Sequence, residues 1–242
     1  MVLVLVRIAL LAVAAVLTSA VAAAVTGRPF SLAYAAQLSA HYFVPVNVAC
    51  WALLARGGGV RRLLGERPWL RWSDVGYGLV WLLVMYVPFA AAVVLMALLL
   101  HGPAGFADSF ATMFVPPEGT GLDLGPVAGV VFAAVVVALF PLTNAPVEEL
   151  YYRGHAQGRL EARGAPGWLV VLLPAALFGL QHVLLAPGPE AMAVYAVAFT
   201  AWGATAGVIY RRRRRLMPLI VAHFLTNLFT AAVPLAFVLF GT

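Results

Sequence analysis

Gly125–Arg163 reads GPVAGVVFAAVVVALFPLTNAPVEELYYRGHAQGRLEAR. Its first half, with Leu124, carries no charge as far as Val147. Glu148 and Glu149 then stand side by side, followed by Arg153, Arg159 and Arg163. Pro141 and Pro146 could divide the stretch into two crossings of a membrane. Two crossings would separate the run Arg211–Arg215 from the basic loop holding Arg56, Arg61, Arg62, Arg67 and Arg71. One crossing keeps all three arginine clusters on a single side, as the positive-inside rule requires. The segment is therefore expected to be one long helix, kinked near the prolines and extended into the cytoplasm.

Six more uncharged runs flank this one: Ile8–Gly27, Pro29–Ala55, Val75–Ala107, Ala165–Pro189, Ala191–Tyr210 and Leu216–Thr242. Each can cross roughly 30 Å of hydrocarbon as a helix. Helices are the default because lipid offers the backbone no hydrogen-bond partners. The expected fold is all-α: a polytopic membrane protein of about seven transmembrane helices. Its polar site is buried between the fourth, fifth and seventh. Residues 1–242 form a single integral-membrane domain, with a catalytic core at about 125–242. The N-terminus, Arg61 and Arg213 are expected in the cytoplasm. The acidic loop with Asp108, Glu118 and Asp123 falls outside, as does the Pro187–Glu190 turn.

Composition closes off other classes. Of 242 residues, 64% are hydrophobic and 10% charged, against about 25% charged in a typical soluble domain. Mean hydropathy is +0.97. All fifteen basic residues are Arg, so there is no Lys for a Schiff base or general base. The single Cys50 excludes an internal disulfide framework and a multi-cysteine zinc site. Arg211–Arg215 sits directly between two spans, which assigns it to topology and anionic-lipid contact, not to nucleic acid. Arg7 precedes an apolar run ending in small residues, as in a signal peptide. That run is longer than an ordinary signal core and Met1–Val6 is itself apolar, so a retained anchor is expected. Arg without Lys, with abundant Ala, Val and Gly, suggests a bacterial plasma membrane.

Ionisable groups inside a span are costly and mark function by default. Three clusters qualify: Glu148-Glu149-Leu150-Tyr151-Tyr152-Arg153, Phe178-Gly179-Leu180-Gln181-His182, and His223-Phe224-Leu225-Thr226-Asn227. Counted from the Gly164–Pro166 turn, Glu148 and His182 come level in an antiparallel pair, roughly 25 Å away at 1.5 Å per residue. His223 lies roughly 12 Å beyond Arg215, with Asn227 one turn deeper. The expectation is one buried zone opening towards the cytoplasm. Glu149 and Arg153 have the favoured i,i+4 order for an ion pair. Glu148 points about 100° away at helical spacing and has no partner within its motif. An unpaired carboxylate in low dielectric holds its proton tightly and suits a general base near neutral pH. A carboxylate, two imidazoles and an amide can activate water and hold an oxyanion, or bind a divalent metal. Phe178 reads as packing. His41, His101 and His155 read as interfacial or packing residues.

Glu148-Glu149-x-x-x-Arg153, Phe178-x-x-x-His182 and His223-x-x-x-Asn227, in that order, resemble the CAAX-protease and bacteriocin-processing family of intramembrane proteases. The likeness runs from about Leu142 to Leu228. It implies hydrolysis of a peptide bond in a membrane-associated substrate, which is a prenylated CAAX tail in the eukaryotic relatives. By the same likeness, Glu148 activates water with His182 assisting, His223 and Asn227 hold the oxyanion, and Glu149 with Arg153 orders the helix. Relatives have been described both as metalloproteases and as metal-independent glutamate proteases. A zinc ion on Glu148, His182 and His223 is thus one option and no cofactor the other. HExxH is absent, so no zincin site is implied. The expected partners are membrane lipid and a membrane-associated or lipidated peptide or protein.

Two other classes stay open on the residues alone. One is a non-enzymatic scaffold or immunity protein that keeps the fold. The other is a proton-coupled transporter using Glu148 and the histidines as a relay. A carrier commonly shows paired repeats with broken helices, and none is visible here.

Overall fold

The computed structural model describes residues 1–56, 58–65, 69–114, 122 and 124–240. Helices account for all the regular structure among them. In chain order these are α1 (Val2–Thr26), α2 (Ala33–Gln37), α3 (Ser39–Ala55), α4 (Gly59–Leu64), α5 (Trp72–Phe114) and α6 (Gly125–Glu148). A π-helix (Glu149–Gln157) leads into α7 (Gly158–Ala162). Then come α8 (Gly167–His182), a 3₁₀ turn (Val183–Leu185), α9 (Pro189–Arg213) and α10 (Met217–Phe240). Five helical stretches are long and apolar enough to cross a membrane: Val2–Thr26, Trp72–Phe110, Val127–Ala162, Gly167–Leu185 and Pro189–Arg213. Ser39–Ala55 and Met217–Val233 are shorter apolar helices. These seven correspond to the seven expected runs.

The distribution of side chains is that of a protein solvated by lipid. Large apolar residues such as Leu17, Leu83, Val87, Leu99 and Phe229 are exposed, whereas Arg7, Glu148, Glu149 and Arg153 are buried. Small residues let helix backbones approach, as is usual where lipid removes the hydrophobic drive between helices. A Cβ on Gly179 of α8 would lie 2.4 Å from the Ala196 carbonyl oxygen of α9. A Cβ on Gly78 of α5 would collide with Val221 of α10.

Gly125–Ala162 is one continuous helical stretch, as expected. It passes through Pro141 and Pro146 and changes winding at Glu149. The prolines remove backbone donors. The nine-residue π segment that follows, Glu149–Gln157, is unusual, since π winding mostly occurs as single turns at functional sites. The third span runs on past its expected end, to Phe114. It bends at Gly102, where φ is 66°, a conformation open to glycine, and Pro103 follows. Arg67, Glu118 and Asp123 lie outside the described residues.

Two ends of the bundle can be told apart. At one, Glu161 accepts hydrogen bonds from Arg211 and Arg214, and Asp74 pairs with Arg215 at 2.5 Å. Met1 shares a pocket there with Arg159 and Arg163. The three arginine clusters and the N-terminus thus share an end. At the other, the Gln37 side chain exchanges two hydrogen bonds with the Leu122 backbone, at 3.2 and 2.7 Å. The Tyr42 hydroxyl donates to the Leu184 carbonyl there.

Candidate active site

Between these ends lies a buried charge cluster. Glu149 Oε1 accepts from Arg153 Nη1 at 3.1 Å and from His223 Nδ1 at 2.9 Å. The Arg153 guanidinium lies over the Phe178 ring, 4.6 Å from its centroid. The i,i+4 pair read from the sequence therefore exists, and His223 of α10 joins it.

Glu148 differs from its expectation. It is fully buried and paired. Its Oε1 accepts from Arg7 Nη2 at 2.8 Å and from Gln181 Nε2 at 2.6 Å. Arg7 comes from α1 and also donates to Asn47 of α3 at 2.5 Å, Asn144 of α6 at 3.2 Å and Gln181 of α8 at 3.3 Å. The Tyr152 hydroxyl donates to Gln181 Oε1 at 2.8 Å. The motif that holds Glu148 contains no cation for it, and the one it uses lies 141 residues away. Arg7 was legible only as a charge near the start of an apolar run. Its depth, several residues inside α1, was the available signal. Gln181 stood in a quoted cluster without a role, and Asn47 and Asn144 gave no signal beyond a lone amide in a span.

The other expected residues stand around the same cluster. His182 Nδ1 lies 2.7 Å from the Phe178 carbonyl oxygen. A carbonyl only accepts, so Nδ1 carries the hydrogen, and in the neutral ring Nε2 keeps its lone pair. The His182 ring stacks on Phe199 with centroids 3.7 Å apart. His223 Nε2 is 3.4 Å from Glu148 Oε2. Asn227 is buried and its Nδ2 has no hydrogen-bond partner; neither do Glu148 Oε2 and Glu149 Oε2. Phe178, read as packing, does pack, and it touches Arg153, His182 and His223 together.

A cavity of about 980 Å³ adjoins the cluster, lined by Asn144, His182, His223 and Asn227 at its floor. It continues past Phe43, Phe140 and Phe229 to Gln37, His41, Leu122 and Leu124. The expected direction is therefore reversed: the cavity runs away from the arginine-bearing end. Helical depth fixed the level of the polar residues, but the direction depends on which side of that level is filled. His41, expected to be interfacial or packing, lines this cavity and packs tilted against Phe132, with ring centroids 4.8 Å apart.

The donors do not fit a divalent metal. One oxygen of each glutamate is held by a guanidinium, and those two charges oppose a dication in the same low-dielectric space. Among the described residues no group of three or more His, Cys, Asp or Glu side chains is disposed to hold an ion.

Residues 127–229 match the family model for Rce1-like, type II CAAX prenyl endopeptidase Rce1-like proteins. The chain carries an Rce1-like segment. That segment runs from α6 into α10 and contains Glu148, Glu149, Arg153, His182, His223 and Asn227, whereas Arg7 and Asn47 lie before it. The match supports a protease of the CAAX-type intramembrane class in a membrane-embedded chain. Neither a curated protein nor a solved structure matches the chain.

Proposed function

We propose that this protein is a metal-independent intramembrane endopeptidase, with Glu148 and His182 activating the attacking water. The observation that carries the reading is a buried carboxylate oxygen without a hydrogen bond in the same cluster as an imidazole that lines the cavity. Glu148 Oε2 is buried and accepts no hydrogen bond, with His223 Nε2 3.4 Å away, and His182, which lines the cavity, keeps an Nε2 lone pair. A water held by both acceptors has its oxygen lone pair free for attack on a carbonyl carbon.

The proton lost by that water passes to the Glu148–His182 pair and later to the leaving amine, as the C–N bond breaks. The developing oxyanion is met by Asn227 Nδ2, a donor with no other partner, and by His223, whose ring is held through Nδ1 by Glu149. Two glutamates balance two arginines in the cluster. A proton on His223 therefore gives a net positive site when the oxyanion forms. Arg7 and Gln181 hold Glu148 Oε1 and so aim Oε2. Glu149 and Arg153 orient His223. The substrate is a peptide bond in a membrane-associated polypeptide, of which a CAAX tail, a bacteriocin-type peptide and another membrane protein are the candidates.

The test is cleavage of a membrane-inserted fluorogenic peptide by purified protein in lipid vesicles. Glu148→Gln keeps an acceptor for Arg7 and Gln181 but cannot take a proton, and should cost about 10²–10⁴ in rate. Asn227→Ala should lower kcat by about 10²–10³ with Tm unchanged, because its amide nitrogen has no protein partner to lose. Exhaustive chelation should leave the wild-type rate intact. Cleavage by Glu148→Gln at the wild-type rate sinks the assignment.

A further inference from the structure

The two sides of the charge cluster are built differently. Towards the arginine-bearing end the space is filled: Leu54, Val60, Tyr151, Ile209, Leu216 and Leu219 are buried in one continuous apolar core beneath Glu148 and Glu149. Gly154 of the π-helix leaves room only for Leu63 and Leu216, each within 3.4 Å of where a Cβ would stand. Towards the opposite end lies the 980 Å³ cavity. Its floor residue nearest the arginines along the chain, His223, is roughly 12 Å from Arg215 at helical rise. Phe178 and Trp202 lie roughly 16 Å from the arginine-bearing ends of α8 and α9 by the same measure.

We infer that water and the polypeptide to be cleaved reach Glu148 and His182 from the face opposite the arginine clusters, which is the extracytoplasmic face. The inference uses the hydrolase reading only to name what enters. The positive-inside rule puts Arg56–Arg62, Arg159–Arg163 and Arg211–Arg215 in the cytoplasm. The closed core then stands between the cytoplasm and the cluster, and the cavity stands on the other side. The lining also defines the occupant. Among the described lining residues there is no Asp, Glu or Arg, and the walls include Phe43, Phe89, Phe140, Tyr195 and Phe199. A charged residue meets no carboxylate or guanidinium among these described walls, and desolvating it is costly. The segment that fits is an uncharged, apolar stretch of a membrane-inserted chain, presented from the outer half of the bilayer.

Cysteine accessibility tests this without requiring catalysis. In a Cys50→Ser background, Thr230→Cys places a thiol on the cavity wall and Arg212→Cys places one at the exposed arginine-bearing end. Leu124→Cys, at the far end of the cavity, is the second reporter should Thr230→Cys fail to fold. A membrane-impermeant maleimide should label the cavity thiols in spheroplasts and Arg212→Cys only in inverted vesicles. Labelling of the cavity thiols from the Arg212 side, or from neither side, overturns the inference. The reversed pattern, with Arg212→Cys labelled in spheroplasts, overturns the extracytoplasmic assignment. An inactive enzyme with the expected labelling would instead overturn the hydrolase reading and leave the access route standing.

Discussion

Glu148 and Glu149 are neighbours in the chain, yet their surroundings are assembled in opposite ways. The Glu149 side has a local charge partner: Arg153 sits on the same helical stretch, while Phe178 of α8 and His223 of α10 complete it from other spans. The Glu148 side is assembled from four helices, with Arg7 from α1, Asn47 from α3, Asn144 from α6 and Gln181 from α8. Both glutamates end with one oxygen bound and one free. The difference teaches two ways in which a carboxylate can be compensated in lipid and still keep one oxygen to spare. A guanidinium compensates one oxygen, and the other is left without a hydrogen bond. The Glu148 side needs α1 for this, so the first helix is part of the site and not only an anchor.

The comparison breaks most readily at Arg7. Arg7→Leu strips Glu148 of its cation and should cost about 3–5 kcal/mol, since an uncompensated buried charge remains. A lowered Tm in detergent and lost cleavage are the expected readings. Replacing both partners, Arg7→Met with Glu148→Met, should recover most of the Tm and none of the activity. Wild-type stability in Arg7→Leu alone would mean that Gln181 and His223 suffice for Glu148, and α1 would lose its role.

On the other side, Glu149→Gln leaves the buried Arg153 without its counterion, and the cost should fall at the lower end of about 3–5 kcal/mol, because an amide oxygen still accepts from Arg153 and His223. Activity should fall with it, as His223 loses the carboxylate that orients it. A Glu149→Gln protein less stable than Arg7→Leu would reverse the ranking of the two sides. The smallest change is Asn144→Ala, which removes one acceptor from Arg7 while Asn47, Gln181 and Glu148 remain. About 0.5–1.5 kcal/mol is expected, read from chemical unfolding of the purified protein. An effect as large as that of Arg7→Leu would show that Asn144, more than Glu148, fixes the arginine.

The sequence by itself determined the membrane helices and the level at which the polar residues gather. Continuous apolar runs cannot be solvated otherwise, and rise per residue turns chain position into depth. It also determined the Glu149–Arg153 pair, because covalent spacing alone puts i and i+4 on one helix face. The tertiary structure decided the rest. Arg7 meets Glu148 only because α1 packs beside α3 and α8, and a contact across 141 residues leaves no periodic trace in the chain. The π winding at Glu149–Gln157 follows Pro146, and no residue pattern marks where it ends. The direction of the cavity is a matter of which gaps between helices are filled. Leu63, Leu216 and Leu219 close one side, while the far side stays open beside residues no less apolar. Hydropathy is blind to that difference, since in lipid a packed leucine and a cavity-lining phenylalanine read alike.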